Sequence, residues 1–173
     1  MSLRKLAYAA TVGAVYAALT ILIAPIAYGP IQFRISEVLC ILPFFFPYTA
    51  WGLFSGCLLA NLLSAYGILD IVFGPIATLI AALLTMWLGM SRRRGKFSTK
   101  ALACLFPVIV NGIIIGAVIA VSSTPEAFWP AFLTFGLQVA FGEFVVMYAL
   151  GLPLMLYLPR MRFFNSPTAD HNQ

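Results

Sequence analysis

Long apolar runs follow one another along almost the whole chain, and they decide what it can fold into. Of its 173 residues, 62% are apolar and only 9% carry a charge, whereas soluble domains are about one-quarter charged. A helix needs about 20 mainly apolar residues to cross the hydrocarbon core of a bilayer. The sequence therefore predicts an all-α integral membrane protein, with room for six spans in one domain and none for a soluble module.

Proline, glycine and polar residues divide the chain into six predicted transmembrane helices. The predicted spans are about 4–26, 31–47, 49–66, 70–90, 101–121 and 127–158, and a disordered tail is expected over 163–173. Pro43 should kink the second span, because proline cannot donate a helical hydrogen bond. The last span would be about 50 Å long as one helix, so we expect a break near Pro130 or Pro153.

The basic residues indicate how the helices are oriented. If the spans alternate, one side of the membrane receives Arg4, Lys5, Arg92, Arg93, Arg94, Lys96, Lys100, Arg160 and Arg162. Cytoplasmic connections are enriched in lysine and arginine, so both termini are predicted to be cytoplasmic in a multi-pass protein of the cell membrane. The net charge of +5 then reflects topology and contact with anionic headgroups, and no nucleic-acid partner is expected.

Two charged residues interrupt the second apolar stretch. Arg34 and Glu37 are three residues apart, so on a helix they share one face and can pair. A charge at the centre of a bilayer costs roughly 2.5–3.5 kcal/mol on insertion scales. The pair is therefore either a structural ion pair or part of a polar functional site.

Further polar residues occur within or beside the other predicted spans. The full set is Arg34, Glu37, Asn61 and Asp70 toward the outside, and Asn111, Gln138 and Glu143 near the middle. We expect these groups to converge on one pocket, which would suit a small, flat, polar heterocycle bound by amides, carboxylates and aromatic rings. Two alternatives stay open: the amides could join helices to one another, and Asp70 could cap a helix.

The inventory of reactive residues argues against an enzyme. The single histidine, His171, lies in the polar tail, and the chain has no GxxxxGK[ST] phosphate-binding loop. Cys40, Cys57 and Cys104 lack metal-ligand spacing and are interpreted as small buried apolar residues. No catalytic residue, metal or cofactor is predicted, and any dependence on ATP must come from another chain.

Small residues recur every four positions in three of the predicted spans. The sets are Ala10, Ala14 and Ala18; Gly52, Gly56 and Ala60; and Gly112, Gly116 and Ala120. Such stripes let helix backbones approach closely within a membrane. For the first set, the sequence leaves two interpretations: packing within the protein, or a surface for a partner.

Four segments resemble the QueT family of membrane proteins. They read GPIQFRISEVLCILPFFFP, GLFSGCLLANLL, ILDIVFGPIATLIAALLT and GEFVVMYALGLPL, and together they cover most of residues 5–155. Members of that family resemble the substrate-binding S components of energy-coupling factor (ECF) transporters, and they are assigned to uptake of deazaguanine precursors of queuosine. The resemblance implies a six-helix subunit that docks on a membrane coupling subunit with two ATPases.

The resemblance also gives the alanine stripe a role, because Ala10 and Ala14 match the AxxxA motif by which S components engage the coupling subunit. The leading hypothesis is an S component that takes up a deazaguanine-like base from outside. The alternatives are an S component for another vitamin-like compound and a stand-alone, proton-coupled secondary transporter. Within the site, we expect Glu143 to bind the guanine-like edge of the substrate, assisted by Gln138 or Asn111, and Glu37 to be the counter-charge of Arg34.

Overall fold

The structure is a computed structural model that describes residues 2–27, 31–64 and 66–160. These residues form helices joined by turns and short extended segments, without a β-strand in the described part. The all-α class is therefore confirmed. Arg162 and the predicted tail at 163–173, which contains His171, lie outside the described residues.

The helices follow the order of the predicted spans. They are α1 (Leu3–Leu22), α2 (Ala24–Ala27), a 3-10 helix (Ile35–Phe44), α3 (Thr49–Asn61), α4 (Ile68–Gly89), α5 (Phe97–Ser123), a 3-10 turn (Pro125–Ala127), α6 (Phe128–Val146), a π-turn (Met147–Gly151), α7 (Leu152–Tyr157) and a 3-10 turn (Leu158–Arg160). Four stretches are long and apolar enough to cross a membrane: α1, α4, α5 and the continuous Pro125–Arg160. The protein is thus a helical membrane protein, while the second and third predicted spans correspond to shorter helices.

The second predicted span differs most from expectation. Instead of an α-helix over 31–47, residues 32–34 are non-helical and a 3-10 helix of 10 residues follows, with Pro43 inside it. The non-helical stretch contacts α2, where the Phe33 amide donates to the Ile26 carbonyl at 3.3 Å. Runs of 3-10 helix are usually only 3–4 residues long. Most side chains of Ile35–Phe44 are buried, so packing against neighbouring helices holds this unusual backbone.

The last span is continuous, so the break expected near Pro130 is wrong. Pro130 lies in the first turn of α6, where a missing amide hydrogen costs nothing because that amide would have no helical partner. Before Pro153 the helix continues but changes from α to π geometry. The π-turn Met147–Gly151 precedes Pro153, and the Leu152 amide donates to the Met147 carbonyl. Such a turn re-aligns a helix at a position where proline would disturb regular bonding.

Helices α1 and α3 contact each other backbone to backbone. A Cβ on Gly52 would overlap the main-chain carbonyl of Ala9, and one on Gly56 would overlap that of Gly13. The small-residue stripe of the third predicted span is therefore confirmed as a packing surface. Its partner is the Ala9 and Gly13 face of α1.

Helices α5 and α6 use a second small-residue contact. A Cβ on Gly116 would lie 2.5 Å from the Gly136 Cα, and one on Gly112 would lie 3.0 Å from the Ala140 Cβ. The close-packing role expected of Gly112 and Gly116 is confirmed. The bundle therefore contains two tightly joined helix pairs, and the 3-10 helix contacts members of both.

We expect Gly52→Ala to destabilise the protein, because its new methyl group would overlap the Ala9 carbonyl and force α1 away from α3. Overpacking of this kind typically costs about 1–3 kcal/mol. The free energy of unfolding, measured by denaturant titration in one detergent, checks the expectation. Gly95→Ala is the matched control, since a Cβ there meets nothing within 4 Å. Equal stabilities of the two variants would contradict the packing.

Candidate functional site

Arg34 lies at the centre of a buried polar cluster near the first turn of α4. Its guanidinium is 3.6 Å from the Asp70 carboxylate and donates to the Asn61 side-chain oxygen at 3.5 Å. The Asn61 amide in turn donates to the Asp70 main-chain carbonyl at 2.9 Å. Only 2% of Arg34 is exposed, and Asn61 and Asp70 are fully buried. Three separate segments therefore share one buried polar cluster.

This geometry corrects two interpretations of the sequence. The ion pair of Arg34 is made with Asp70 rather than with Glu37, because the backbone at Arg34 is non-helical and Arg34 precedes the 3-10 helix as its N-cap. Arg34 and Glu37 would share one face only if both residues were helical. Asp70 is also not the helix cap: α4 begins at Ile68 after Gly67, and the Asp70 carboxylate instead pairs with Arg34 and accepts from Ser64 at 2.5 Å.

Glu37 is bound by hydroxyl and thiol donors in place of the expected arginine. Its Oε1 accepts from the Tyr16 hydroxyl and from Thr78 at 3.2 Å, and its Oε2 accepts from the Cys40 thiol at 3.0 Å. All four residues are fully buried. Cys40 is therefore buried as predicted, but it takes part in a polar contact. Tyr16 and Thr78 were missed, because nothing in a sequence marks a tyrosine or threonine within an apolar helix as the partner of an acid.

Glu143 and Asn111 form a second buried polar pair, between α6 and α5. The Asn111 amide donates to Glu143 Oε1 at 2.6 Å, and each residue is 1% exposed. Among the described residues, neither Glu143 Oε2 nor Asn111 Oδ1 has a hydrogen-bond partner. Because α6 packs against the 3-10 helix that carries Glu37, this pair and the buried groups around Glu37 belong to one polar interior.

Gln32 is a further buried amide that the sequence analysis did not select. Its main-chain carbonyl lies against α6 at Gly142, where a Cβ would overlap it. Gln32 is 2% exposed, and its Nε2 has no partner in the described part of the chain. The available signal was a single amide between Ile31 and Phe33, in an otherwise apolar run beside Arg34.

Gln138 does not share the Glu143 face of α6. The two residues are five apart, which places them about 140° apart around a helix with 3.6 residues per turn. Gln138 is partly buried, and its Oε1 makes no hydrogen bond to any residue that the structure describes. Of the two amides expected to assist Glu143, the structure therefore brings Asn111 to it.

The polar interior is closed in this structure. Two surface grooves, of about 340 and 240 Å³, lie elsewhere: one beside Trp87 and Met90, the other between α5 and α6 around Gly112 and Gly136. A buried polar atom without a partner costs roughly 1–3 kcal/mol. A ligand that brings complementary donors and acceptors would remove that cost at Glu143, Asn111 and Gln32, but it can enter only if the helices rearrange.

The alanine stripe of α1 faces outward. Ala10, Ala14 and Ala18 are all exposed, whereas Ala9 and Gly13 form the buried face against α3. Packing within the protein is therefore not the role of these three alanines in the described structure. They leave a shallow strip on which another helix backbone could come close.

The sequence of this chain matches a known protein family. Residues 6–160 match the family described as QueT transporter. The chain belongs to the QueT transporter family. The match includes α1 to α7 and every residue of the polar interior, so the family resemblance drawn from four short segments is confirmed. Membership in a transporter family also places the buried acids in a transport protein.

A curated relative of this QueT-family chain comes from Lactococcus lactis subsp. cremoris strain MG1363. It is named Queuosine precursor transporter QueT and is 38% identical over 73 residues, which cover 41% of this chain and 43% of that protein. The alignment thus spans less than half the length of the relative. No solved structure matches the chain.

We expect Asp70→Asn to destabilise this QueT-family protein strongly, because it leaves the Arg34 guanidinium buried without its carboxylate. Breaking a buried ion pair costs about 3–5 kcal/mol. Thermal unfolding in detergent should show a large loss for Asp70→Asn and for Arg34→Met, and a smaller combined loss for the double variant than the sum. Strictly additive losses would contradict the pairing.

Proposed function

We propose that this protein is the substrate-binding S component of an ECF-type importer that takes up a deazaguanine-like queuosine precursor from outside the cell. The observation that carries the proposal is the Glu143–Asn111 pair, which is buried and keeps one unused acceptor oxygen on each residue. Family membership and the name of the Lactococcus relative support the same substrate class.

The hydrogen-bonding pattern of a guanine-like base fits this pair. Its edge carries a ring N–H and an exocyclic amine side by side, and a carboxylate accepts strongly from both kinds of donor. Glu143 Oε2 and Asn111 Oδ1 are the acceptors available to them. Glu37 already accepts three hydrogen bonds, so its role in the proposed binding state is to hold the surrounding helices.

The six-span fold belongs to this proposal, although two of the helices are short. A 3-10 helix of 10 residues rises about 20 Å, and the non-helical residues 32–34 precede it. The second span would therefore use this non-helical stretch to cover the rest of the hydrocarbon thickness of about 30 Å. Non-helical backbone is tolerated at membrane depth when protein surrounds it, and most side chains of Ile35–Phe44 are buried. The 13-residue α3 would end inside the membrane, where Asn61 meets Arg34.

Helix directions support the proposed orientation in the cell membrane. The Tyr8 and Tyr48 rings are 6.5 Å apart, and Gly89 packs against the main chain of Phe44. The start of α1 and the basic connection at 91–100 therefore lie at the same end of the bundle. Cytoplasmic connections are rich in lysine and arginine, so we place this end, and with it both termini, in the cytoplasm.

The proposed partners are a membrane coupling subunit and two ATPase subunits. The exposed stripe of Ala10, Ala14 and Ala18 is the proposed docking surface for the coupling subunit. A stand-alone, proton-coupled transporter is the second candidate, because Glu37, Asp70 and Glu143 give the interior three acids beside one arginine. Buried acids are typical proton carriers in such proteins. An S component for another vitamin-like compound is the third.

Reconstitution in liposomes separates these candidates. We expect uptake of radiolabelled 7-deazaguanine-type precursors to require the ATPase module and internal ATP. Uptake driven by a proton gradient without that module would overturn the proposal in favour of the secondary transporter. ATP-dependent uptake of an unrelated vitamin, with no binding of deazaguanines, would keep the S component and change its substrate.

We expect Glu143→Gln to lower ligand affinity about ten- to a hundredfold, because the variant places an amide donor where the ligand also presents donors. A buried mismatch of this kind costs roughly 1–3 kcal/mol. Calorimetric titration of the purified variants measures the change in Kd. Glu126→Gln is the matched control, since Glu126 is exposed in the turn before α6. Unchanged affinity in a folded Glu143→Gln protein would remove Glu143 from the site.

We expect Ala14→Trp to abolish uptake while leaving ligand affinity nearly intact, because a large side chain on the stripe would block close approach of a partner helix. Binding in detergent and uptake in liposomes are measured on the same preparation. Ile113→Trp, which enlarges an exposed side chain on α5, serves as the control and should retain uptake. If Ala14→Trp also retains uptake, the stripe is not the docking surface.

A further inference from the structure

We propose that Gln32 determines specificity by donating a hydrogen bond from its side-chain amide to the ring carbonyl of the base. The inference rests on the proposed function and adds a residue to the same site. Glu143 and Asn111 offer acceptors only, so they bind the two donors of a guanine-like edge. The carbonyl beside those donors needs a hydrogen-bond donor from the protein.

Gln32 meets this need by its position. The Gln32 main chain is held against α6 at Gly142, directly adjacent in sequence to Glu143, because only a glycine leaves room for the carbonyl there. A backbone hydrogen bond also holds the next residue, because the Phe33 amide donates to the Ile26 carbonyl. The residue is thus fixed beside Glu143 by backbone contacts rather than by its own side chain.

The Gln32 side chain is held out of water without a partner for its donor. Gln32 is 2% exposed, and Nε2 makes no hydrogen bond within residues 2–27, 31–64 and 66–160. An amide donor left in this state is unfavourable by the cost of its desolvation. A carbonyl oxygen brought by the ligand removes that cost.

Two other donor groups of the polar interior already make polar contacts. The Arg34 guanidinium interacts with Asp70 and Asn61, and the Asn111 amide donates to Glu143. Gln32 Nε2 is a buried donor that makes no hydrogen bond within the described residues, and its main chain lies against Gly142, the residue before Glu143. Gln32 therefore offers the donor that the carbonyl of a guanine-like edge requires, in addition to the acceptors on Glu143 and Asn111.

The same arrangement should reject bases that carry an amino group in place of the carbonyl. Such a base would set its donor against the Gln32 donor, and both would stay unsatisfied in a buried site. Sites built to hydrogen-bond a particular group discriminate strongly for this reason. Gln32 would thereby separate guanine-like from adenine-like substrates.

The experiment compares two pairs of probes on purified protein. In the first pair, 7-deazaguanine is set against its 6-thio analogue, whose sulfur is a weaker hydrogen-bond acceptor. In the second pair, 7-deazaguanine is set against 7-deazahypoxanthine, which lacks the exocyclic amine but keeps the carbonyl and the ring N–H. Calorimetry gives the Kd of each probe for the wild type, Gln32→Met and Gln32→Glu, and thermal unfolding confirms that each variant is folded.

We expect Gln32→Met to remove most of the preference for carbonyl over thiocarbonyl while keeping the preference for the exocyclic amine. Gln32→Glu should weaken 7-deazaguanine binding about five- to a hundredfold, since an acceptor then faces the carbonyl. Loss of both preferences in Gln32→Met, or of neither, would overturn the role of Gln32. Failure of the wild type to bind 7-deazaguanine at all would instead contradict the proposed function.

Discussion

The burial of one guanidinium is the constraint on which the polar half of the structure depends. Arg34 reaches both Asp70 at the start of α4 and Asn61 at the end of α3, and all three are shielded from water. A buried charge is tolerated only when paired and hydrogen-bonded. The cluster therefore joins the end of α3, the first turn of α4 and the non-helical chain before the 3-10 helix.

The parts of the fold that depend on local pattern were predictable, and the parts that depend on pairing were not. Apolar runs gave the order of the helices, and glycine spacing gave the close faces of α3 and α5. The partner of Arg34 is Asp70, 36 residues further along the chain, and no periodicity reports such a contact. The 3-10 helix was missed because local propensity favours an α-helix there, whereas tertiary packing decides the backbone.

The site was predictable in composition more than in geometry. Glu143 and Asn111 were expected together and are together, since buried polar groups in apolar helices need one another. Gln138 was expected in the same pocket as a polar residue of the same span, but five residues turn a helix by about 140°, so Gln138 and Glu143 lie on different faces. Gln32 was overlooked because its importance comes from Gly142 on a distant helix, whose missing Cβ admits its backbone.

Glu37 and Glu143 look alike in the sequence, yet their surroundings give them different capacities. Glu37 accepts from Tyr16, Thr78 and Cys40 through both oxygens, so its hydrogen-bonding capacity is spent on joining α1, α4 and the 3-10 helix. Glu143 accepts from Asn111 through Oε1 alone. An acid that is fully bound stabilises the fold, whereas one with an unused oxygen can still gain from a ligand's donors. For these two glutamates, the number of donors already in place therefore separates the carboxylate that holds helices together from the one that can bind a ligand.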